Sequence, residues 1–166
     1  MSKLTRFVKH MVSGRWQVAR RFPRRSMHVI EDAIRRSENT HMGELRFVVE
    51  AGLDWPGLLA GASSRKRALE VFSHLRVWDT EQNSGVLIYL LLADRKVEII
   101  ADRGIHARVG EAGWAVICRN MEQKFRAGEF EGGVLEGISA ITVLLQQHFP
   151  AQGANPNELP DYPVAL

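Results

Sequence analysis

The sequence predicts an α/β fold, a three-layer α/β/α sandwich around a small mixed sheet that combines a parallel crossover with an antiparallel hairpin. Three stretches carry the prediction. Leu45, Phe47 and Val49 alternate with Glu44, Arg46, Val48 and Glu50, which is the period of a strand. Val86 to Leu92 is apolar throughout, as expected of a strand covered on both faces and central in its sheet. Lys96 to Ala101 then returns antiparallel after a tight two-residue turn at Asp94-Arg95. A helix separates the first two strands, so they are expected to run parallel across a right-handed crossover.

The remaining elements follow in order. Leu4, Phe7, Val8, Met11 and Val12 recur at i, i+3, i+4, i+7 and i+8, and Lys3, Arg6, Lys9 and Arg15 surround them. Residues 3–19 therefore read as a basic amphipathic helix. Arg20, Arg21, Arg24 and Arg25 flank Phe22-Pro23, where this piece ends. Ser26 is placed to cap a second helix that turns Val29, Ile30, Ala33 and Ile34 inward and frays near Asn39. After the first strand, Gly52 to Gly61 is a loop containing Trp55-Pro56. Ser63 or Ser64 starts a helix with an apolar face of Ala68, Leu69, Phe72 and Leu75. Two long helices close the domain. One buries Trp114, Ile117, Cys118, Met121 and Phe125; the other, over residues 133–148, is apolar on most sides. Gly132, Gly133 and Gly137 follow no strand and read as helix entry and close packing. Three segments result: a basic helical arm at 1–22, a domain at 23–150, and an extended tail at 151–166 carrying Pro156, Pro160 and Pro163.

A chain of 166 residues suffices for one domain with a real core. Its net charge of +3 is unevenly held. Residues 1–40 carry ten Lys and Arg against Glu31, Asp32 and Glu38; the remainder carries twelve against sixteen acidic side chains. Cys118 is the single cysteine, which excludes an intramolecular disulfide and a cysteine-based zinc site. No apolar stretch follows the basic start, so no secretory signal is expected. The longest apolar run, Val86 to Ala93, falls far short of the ~20 residues of a membrane-spanning helix. The expected location is the cytoplasm, with peripheral contact to a membrane held open.

Asn83, Gly85 to Ile88, Asp94, Asp102, Gly104 and Ile105 are followed by Trp114, Phe125, Gly128, Gly132, Gly133, Gly137, Phe149 and Pro150. This spacing resembles the TPM domain from Pro23 to Pro150. That family includes thylakoid-lumen acid phosphatases, photosystem II repair factors and many bacterial proteins without assigned chemistry. The resemblance implies the same sandwich and an acidic groove around Asn83-x-Gly85 and Asp102. Glu81 and Ser84 depart from the D-N-G form of exported members, which argues against a strong metal site.

The hairpin suggests where chemistry sits. With Asp94-Arg95 as the turn, Ala93 faces Lys96 and Asp102 lies opposite Leu87, at the sheet end where the second strand begins. Asp79, Glu81 and Asn83 directly precede that strand, and His41 and Glu44 open the parallel first strand. Asp79, Glu81, Asn83 and Asp102, with Glu44 beside them, thus gather oxygens at one rim, a ligand set for weakly held Ca²⁺ or Mg²⁺. Such a cation positions a phosphate ester and a water, with Asp79, Asn83 and Asp102 as the catalytic candidates. The plainer reading is a solvated turn, with Asp102 receiving backbone N–H groups and Gly104 supplying a positive φ. An EF-hand is excluded, because Ser84 and Leu90 stand where that loop needs glycine and acid. His41, His106 and His148 share no ligand spacing and read as structural or surface. Arg65-Lys66-Arg67 opens a helix and reads as a solvated face, with phosphate binding as the rarer alternative. No nucleophile with a neighbouring base and no nucleotide-binding or hydrolase motif is present.

The basic segment 3–25 has three readings. In order of preference it packs on the body through Phe7, Met11 and Trp16, lies on an anionic membrane, or binds nucleic acid, for which it lacks a recognised module. Two functions stay open. One is a binding or scaffold module for envelope or membrane-protein maintenance, with an unidentified protein partner and a dependence on divalent cations. The other is a phosphatase-like hydrolase acting at the rim.

Overall fold

The structure, a computed structural model, describes residues 10, 13–54, 61–153 and 156–166. The elements run α1 (Arg15–Arg21), α2 (Arg24–Glu38), β1 (Glu44–Glu50), α3 (Ser64–His74), β2 (Gly85–Leu91), β3 (Lys96–Ala101), α4 (Arg103–Ala127), α5 (Phe130–His148) and β4 (Val164–Ala165). They form one sheet in the order β3-β2-β1-β4. β1 and β2 pair in parallel, Glu44 with Gly85 through Glu50 with Leu91. β3 lies antiparallel to β2.

Alternation along the strands splits the core in two. Leu45, Phe47 and Val49 of β1 with Val86, Ile88 and Leu90 of β2 pack under α2, α4 and α5, against Ile30, Ile34, Met121, Phe125, Ile138 and Ile141. Val48, Leu87, Tyr89 and Leu91 face the opposite layer, against Ala68, Val71, Phe72 and Val77. All seven residues of β2 are buried, as its unbroken apolar run requires. All seven of β1 are buried too, including Glu44, Arg46 and Glu50.

Several expectations are corrected. The hairpin is two residues out of the expected register: Leu87 faces Ile100 and Leu91 faces Lys96. A two-residue turn asks for positive φ at both central positions, for which Asp-Arg is a poor choice. The chain instead uses a four-residue turn closed by Arg95 at φ 49, while Leu92 and Ala93 donate their N–H groups to Glu50 and Ala51. A slip of two leaves every side chain on its intended face. Ser26 is a buried residue inside α2, which Pro23 precedes as N-cap. In α3 the buried face is Ala68, Val71 and Phe72, and Leu69 is exposed. Cys118 is only half-buried. Gly104 carries no positive φ; a Cβ there would sit 2.6 Å from the Asn83 carbonyl oxygen, so glycine is needed for space. The positive φ in this helix falls at Gly110, where α4 kinks.

The tail contributes a strand. Val164 and Ala165 pair in parallel with Val48 and Val49, and Leu166 exchanges backbone hydrogen bonds with Val49 and Ala51. At the other terminus, Phe7, Met11 and most of the expected 3–19 helix lie outside the described residues. Trp16, expected to anchor the arm, is 58% exposed. Val18 and Phe22, four apart on one helical stripe, enter the core instead, and a residue two positions from Val18 points away from that stripe. His10 ties the arm to the body: its Nδ1 accepts the Leu53 N–H at 2.9 Å and its Nε2 lies 3.1 Å from Asp94 Oδ1.

Candidate functional site

The rim at the N-terminal ends of β1 and β2 brings Asn83 and Asp102 together. Asp102 lies level with Gly85, donating its N–H to the Gly85 carbonyl at 2.8 Å. Its Oδ1 accepts the Arg103 N–H at 2.7 Å, which makes it the N-cap of α4. Its Oδ2 is buried without a partner. Asn83, at φ 53, turns its carbonyl to the Ile105 N–H and its Oδ1 to the Arg103 guanidinium at 2.9 Å. Asp79 and Glu81 are exposed on the preceding loop. The Glu81 backbone N–H is held by the Glu158 carboxylate of the tail. Asp79 and Glu81 thus lie in solvent on the loop, and the Arg103 guanidinium occupies the Asn83 side-chain oxygen. Among the described residues, no group of three or more His, Cys, Asp and Glu side chains is arranged to hold a metal ion. Asp102→Ala should cost about 1 kcal/mol in urea unfolding through loss of the cap; a variant as stable as the parent would show that the cap is not used.

Beside this rim lies a buried charge cluster that the sequence reading touched only at Glu44. Glu38 of α2 accepts the Leu45 N–H at 2.8 Å on the edge of β1 that β4 leaves open. Glu44 accepts the Leu159 N–H at 3.0 Å and keeps Oε1 unpartnered. Arg46 is buried among Glu38, Asp161 and Glu44, with one guanidinium nitrogen unpartnered. Asp161 is reached by Arg35 and Asn157. Burial, helped by repulsion from Glu44 and Asp161, raises the Glu38 carboxyl to about 9. Burial likewise raises Glu44 to about 7. Both carboxyls therefore hold protons well above the ordinary carboxylate range. The signal in the sequence was charge on alternate positions of a strand, Glu44, Arg46 and Glu50; its partners in the tail lie too far along the chain to be read from it.

His41 shows why a serine beside a histidine is not a nucleophile here. Its Nδ1 accepts the Gly43 N–H at 3.1 Å, so in the neutral ring the proton sits on Nε2, which faces Ser37 Oγ at 2.8 Å. The ring thus donates to Ser37 and has no lone pair with which to take its proton. Ser37 passes the chain on to Thr142, and Thr142 to the Ile138 carbonyl. Burial lowers His41 to about 4, in keeping with a neutral ring. The Arg65-Lys66-Arg67 group is likewise largely committed: Arg65 binds the Ile99 carbonyl, and Arg67 grips Glu50, which also accepts the buried Tyr89 hydroxyl at 2.6 Å. Only Lys66 stays fully on the solvated face.

The opposite end of the domain is cationic. Arg15, Arg20, Arg21, Arg24 and Arg25, on α1 and the first turn of α2, are all exposed. Among the described residues none of them enters an ion pair, whereas Arg35 further along α2 is bound by Glu31, Asp32 and Asp161. Trp16 and Tyr162, 58% and 47% exposed, stand on the two sides of α1. The fifteen residues of α2 separate this end from the rim by about 20 Å.

Comparison with known proteins agrees with this architecture. The solution structure of BA42 protein from the psychrophilic bacterium Bizionia argentinensis superposes with a TM-score of 0.76 at 28% identity, over 86% of this chain and 93% of that one. The N-terminal domain of a protein from P. gingivalis superposes with a TM-score of 0.61 over 85% of this chain and 95% of that one; at 18% identity it bears on the fold alone. No curated protein matches the chain. Among the described residues no helix is long and apolar enough to cross a membrane. The family profile described as the TPM domain matches residues 21–144, three quarters of the chain and all of its sheet except β4, and the protein belongs to the TPM-domain family.

Proposed function

We propose that this TPM-domain protein is a binding module that docks on an anionic, phosphate-bearing membrane surface through α1 and the start of α2. One observation carries the reading: five exposed arginines without carboxylate partners among the described residues, flanked by exposed Trp16 and Tyr162. Guanidinium groups suit phosphate, and aromatic rings with one polar end settle at the membrane–water boundary. A scaffold role in envelope or membrane-protein maintenance would be exercised from that position, with the acidic rim turned away from the lipid. Co-sedimentation with vesicles tests it. The chain should bind phosphatidylglycerol vesicles, not phosphatidylcholine vesicles, and release them in about 1 M salt, where the Debye length falls to about 3 Å. Trp16→Ala should weaken binding while leaving stability within about 0.5 kcal/mol, as for an exposed residue. Equal binding to neutral vesicles, or undiminished binding after Arg15, Arg20, Arg24 and Arg25 are changed to Gln, would refute the reading.

A second reading keeps the rim as a weak Ca²⁺- or Mg²⁺-dependent site, or as a phosphatase-like one. The orphaned, buried Oδ2 of Asp102 favours it. Arg103 must first leave Asn83. Under this reading Ca²⁺ shifts the amide signals of residues 79–85 and 102–106 more than others and Asp102→Asn abolishes the effect; unchanged spectra at millimolar cation, with no hydrolysis of a phosphate ester, would sink it.

A further inference from the structure

At the end of the sheet away from the rim, β2 runs into the turn of Leu92 to Arg95. Open α/β sheets place ligands beyond the carboxyl ends of their parallel strands, and this is the end reached here by β1 and β2. Leu92, Ala93 and Arg95 of the turn, Trp16, Arg20 and Arg21 of α1 and Phe130 of α5 are the main walls of a cavity of about 290 Å³. Three guanidiniums face it, and no carboxylate lines it among the described residues. The acidic side chain of the turn, Asp94, is taken by His10. Glu129 and Glu131 border the neighbouring groove that shares Arg20 and Arg21, and Glu129 is held by Lys124 at 3.0 Å.

The three cations are held in different ways. Arg21 lies over the Phe130 ring, 4.9 Å from its centroid, a cation–π contact that holds its guanidinium at the cavity wall. Arg95 is exposed, and among the described residues its side chain makes one hydrogen bond, to the Arg126 carbonyl, which at 3.5 Å is beyond the usual range for such a bond. Its backbone sits at φ 49, a left-handed conformation that a residue other than glycine, asparagine or aspartate seldom adopts. Strained backbone of this kind gathers where a side chain has to be aimed. Arg20 is exposed, with no ion pair among the described residues.

We propose that this cavity binds a phosphate monoester, with Arg20, Arg21 and Arg95 on the phosphate oxygens and the Trp16 ring against the organic group. Planar guanidiniums take phosphate oxygens in pairs, which distinguishes this site from a diffuse basic face. A terminal monoester presents three oxygens to the three forks, whereas a diester buried between two carbons presents two. The monoester can come from a soluble metabolite or from a lipid headgroup. Only the lipid source rests on the membrane-docking function proposed above.

Calorimetry with the full chain tests the site, using phenyl phosphate and inorganic phosphate as probes. Phenyl phosphate should bind more tightly than inorganic phosphate. Arg95→Gln should weaken it about tenfold, the scale of one charge-assisted contact. The double variant Arg24→Gln, Arg25→Gln removes more charge from the same end of the domain but none from the cavity, and should change the affinity less than about twofold. A parallel vesicle arm compares phosphatidic acid, a monoester, with phosphatidylglycerol, a diester, at equal surface charge. Phosphatidic acid preferred, and the preference lost in Arg95→Gln, assigns the lipid source. Phenyl phosphate bound and lost in Arg95→Gln, with no vesicle binding by the parent, upholds the cavity and refutes the docking function. No uptake of phenyl phosphate, or equal weakening by Arg95→Gln and the Arg24, Arg25 pair, overturns the cavity even where vesicles still bind.

Discussion

Gly85→Ala is expected to destabilise the protein by more than about 4 kcal/mol, enough to unfold many domains of this size. A Cβ at Gly85 would stand 1.9 Å from the Val77 carbonyl oxygen, and a backbone atom cannot swing aside as a side chain can. Gly85 opens the central strand β2, pairs with Glu44 of β1 and accepts the Asp102 N–H, so any retreat disturbs the rim and two ladders together. Gly132→Ala is the matched control. A Cβ there meets nothing within 4 Å, and alanine in helix α5 should be neutral or stabilise by up to about 1 kcal/mol. Urea unfolding of the two variants checks both; a Gly85→Ala chain within 1 kcal/mol of its parent would mean that the β2 entry is not held against Val77.

Arg46→Met should cost about 3 kcal/mol at neutral pH, and the cost should depend on pH. Removing one partner from a buried charge cluster leaves the others uncompensated, which typically costs about 3–5 kcal/mol. Here Glu38 and Glu44 hold protons at low pH, so the loss of Arg46 is milder near pH 5 and grows towards pH 9 as both carboxyls ionise. The parent has a slope of its own. The folded-state values of Glu38 and Glu44, about 9 and about 7, lie above the unfolded value of 4.5. The folded state therefore binds more protons than the unfolded one above pH 4.5, and stability falls as pH rises, to about 7 for Glu44 and about 9 for Glu38, by at most about 1.4 kcal/mol per pH unit for each. His41 acts in the opposite sense: its value, lowered from 6.5 to about 4, makes stability fall as pH drops from 6.5 to 4. Glu38→Gln keeps the acceptor for Leu45 and should remove most of the alkaline slope between pH 7 and 9. A parent whose unfolding midpoint is flat across that range would show that Glu38 is ionised in the fold.

The central hairpin was legible because its signal is local. An unbroken apolar run gave β2 to within a residue, and β3 has the expected bounds. Its register was not, since it depends on the φ angles that Asp94 and Arg95 accept rather than on hydrophobic pattern. β4 escaped because two residues carry no periodicity; its strand character comes from the open edge of β1. At the rim, counting along strands put Asn83 and Asp102 at one sheet end, where they are. It gave no sign that Arg103 would take the Asn83 oxygen, because a side chain two residues beyond the end of β3, in the first turn of α4, has no strand register to follow. The arginine end was visible as composition alone. Its assembly needed Arg95, which belongs to a turn far along the chain and reaches Arg20 and Arg21 only through the fold.

Amide NMR spectra of the full chain, recorded with and without anionic nanodiscs carrying a paramagnetic lipid, separate the two ends of the domain directly. Binding through the arginine face predicts signal loss at residues 13–25 and at Tyr162, with residues 79–85 and 102–106, about 20 Å away along α2, retaining their intensity. Loss centred on residues 79–85 and 102–106, or no loss anywhere at low salt, would contradict it.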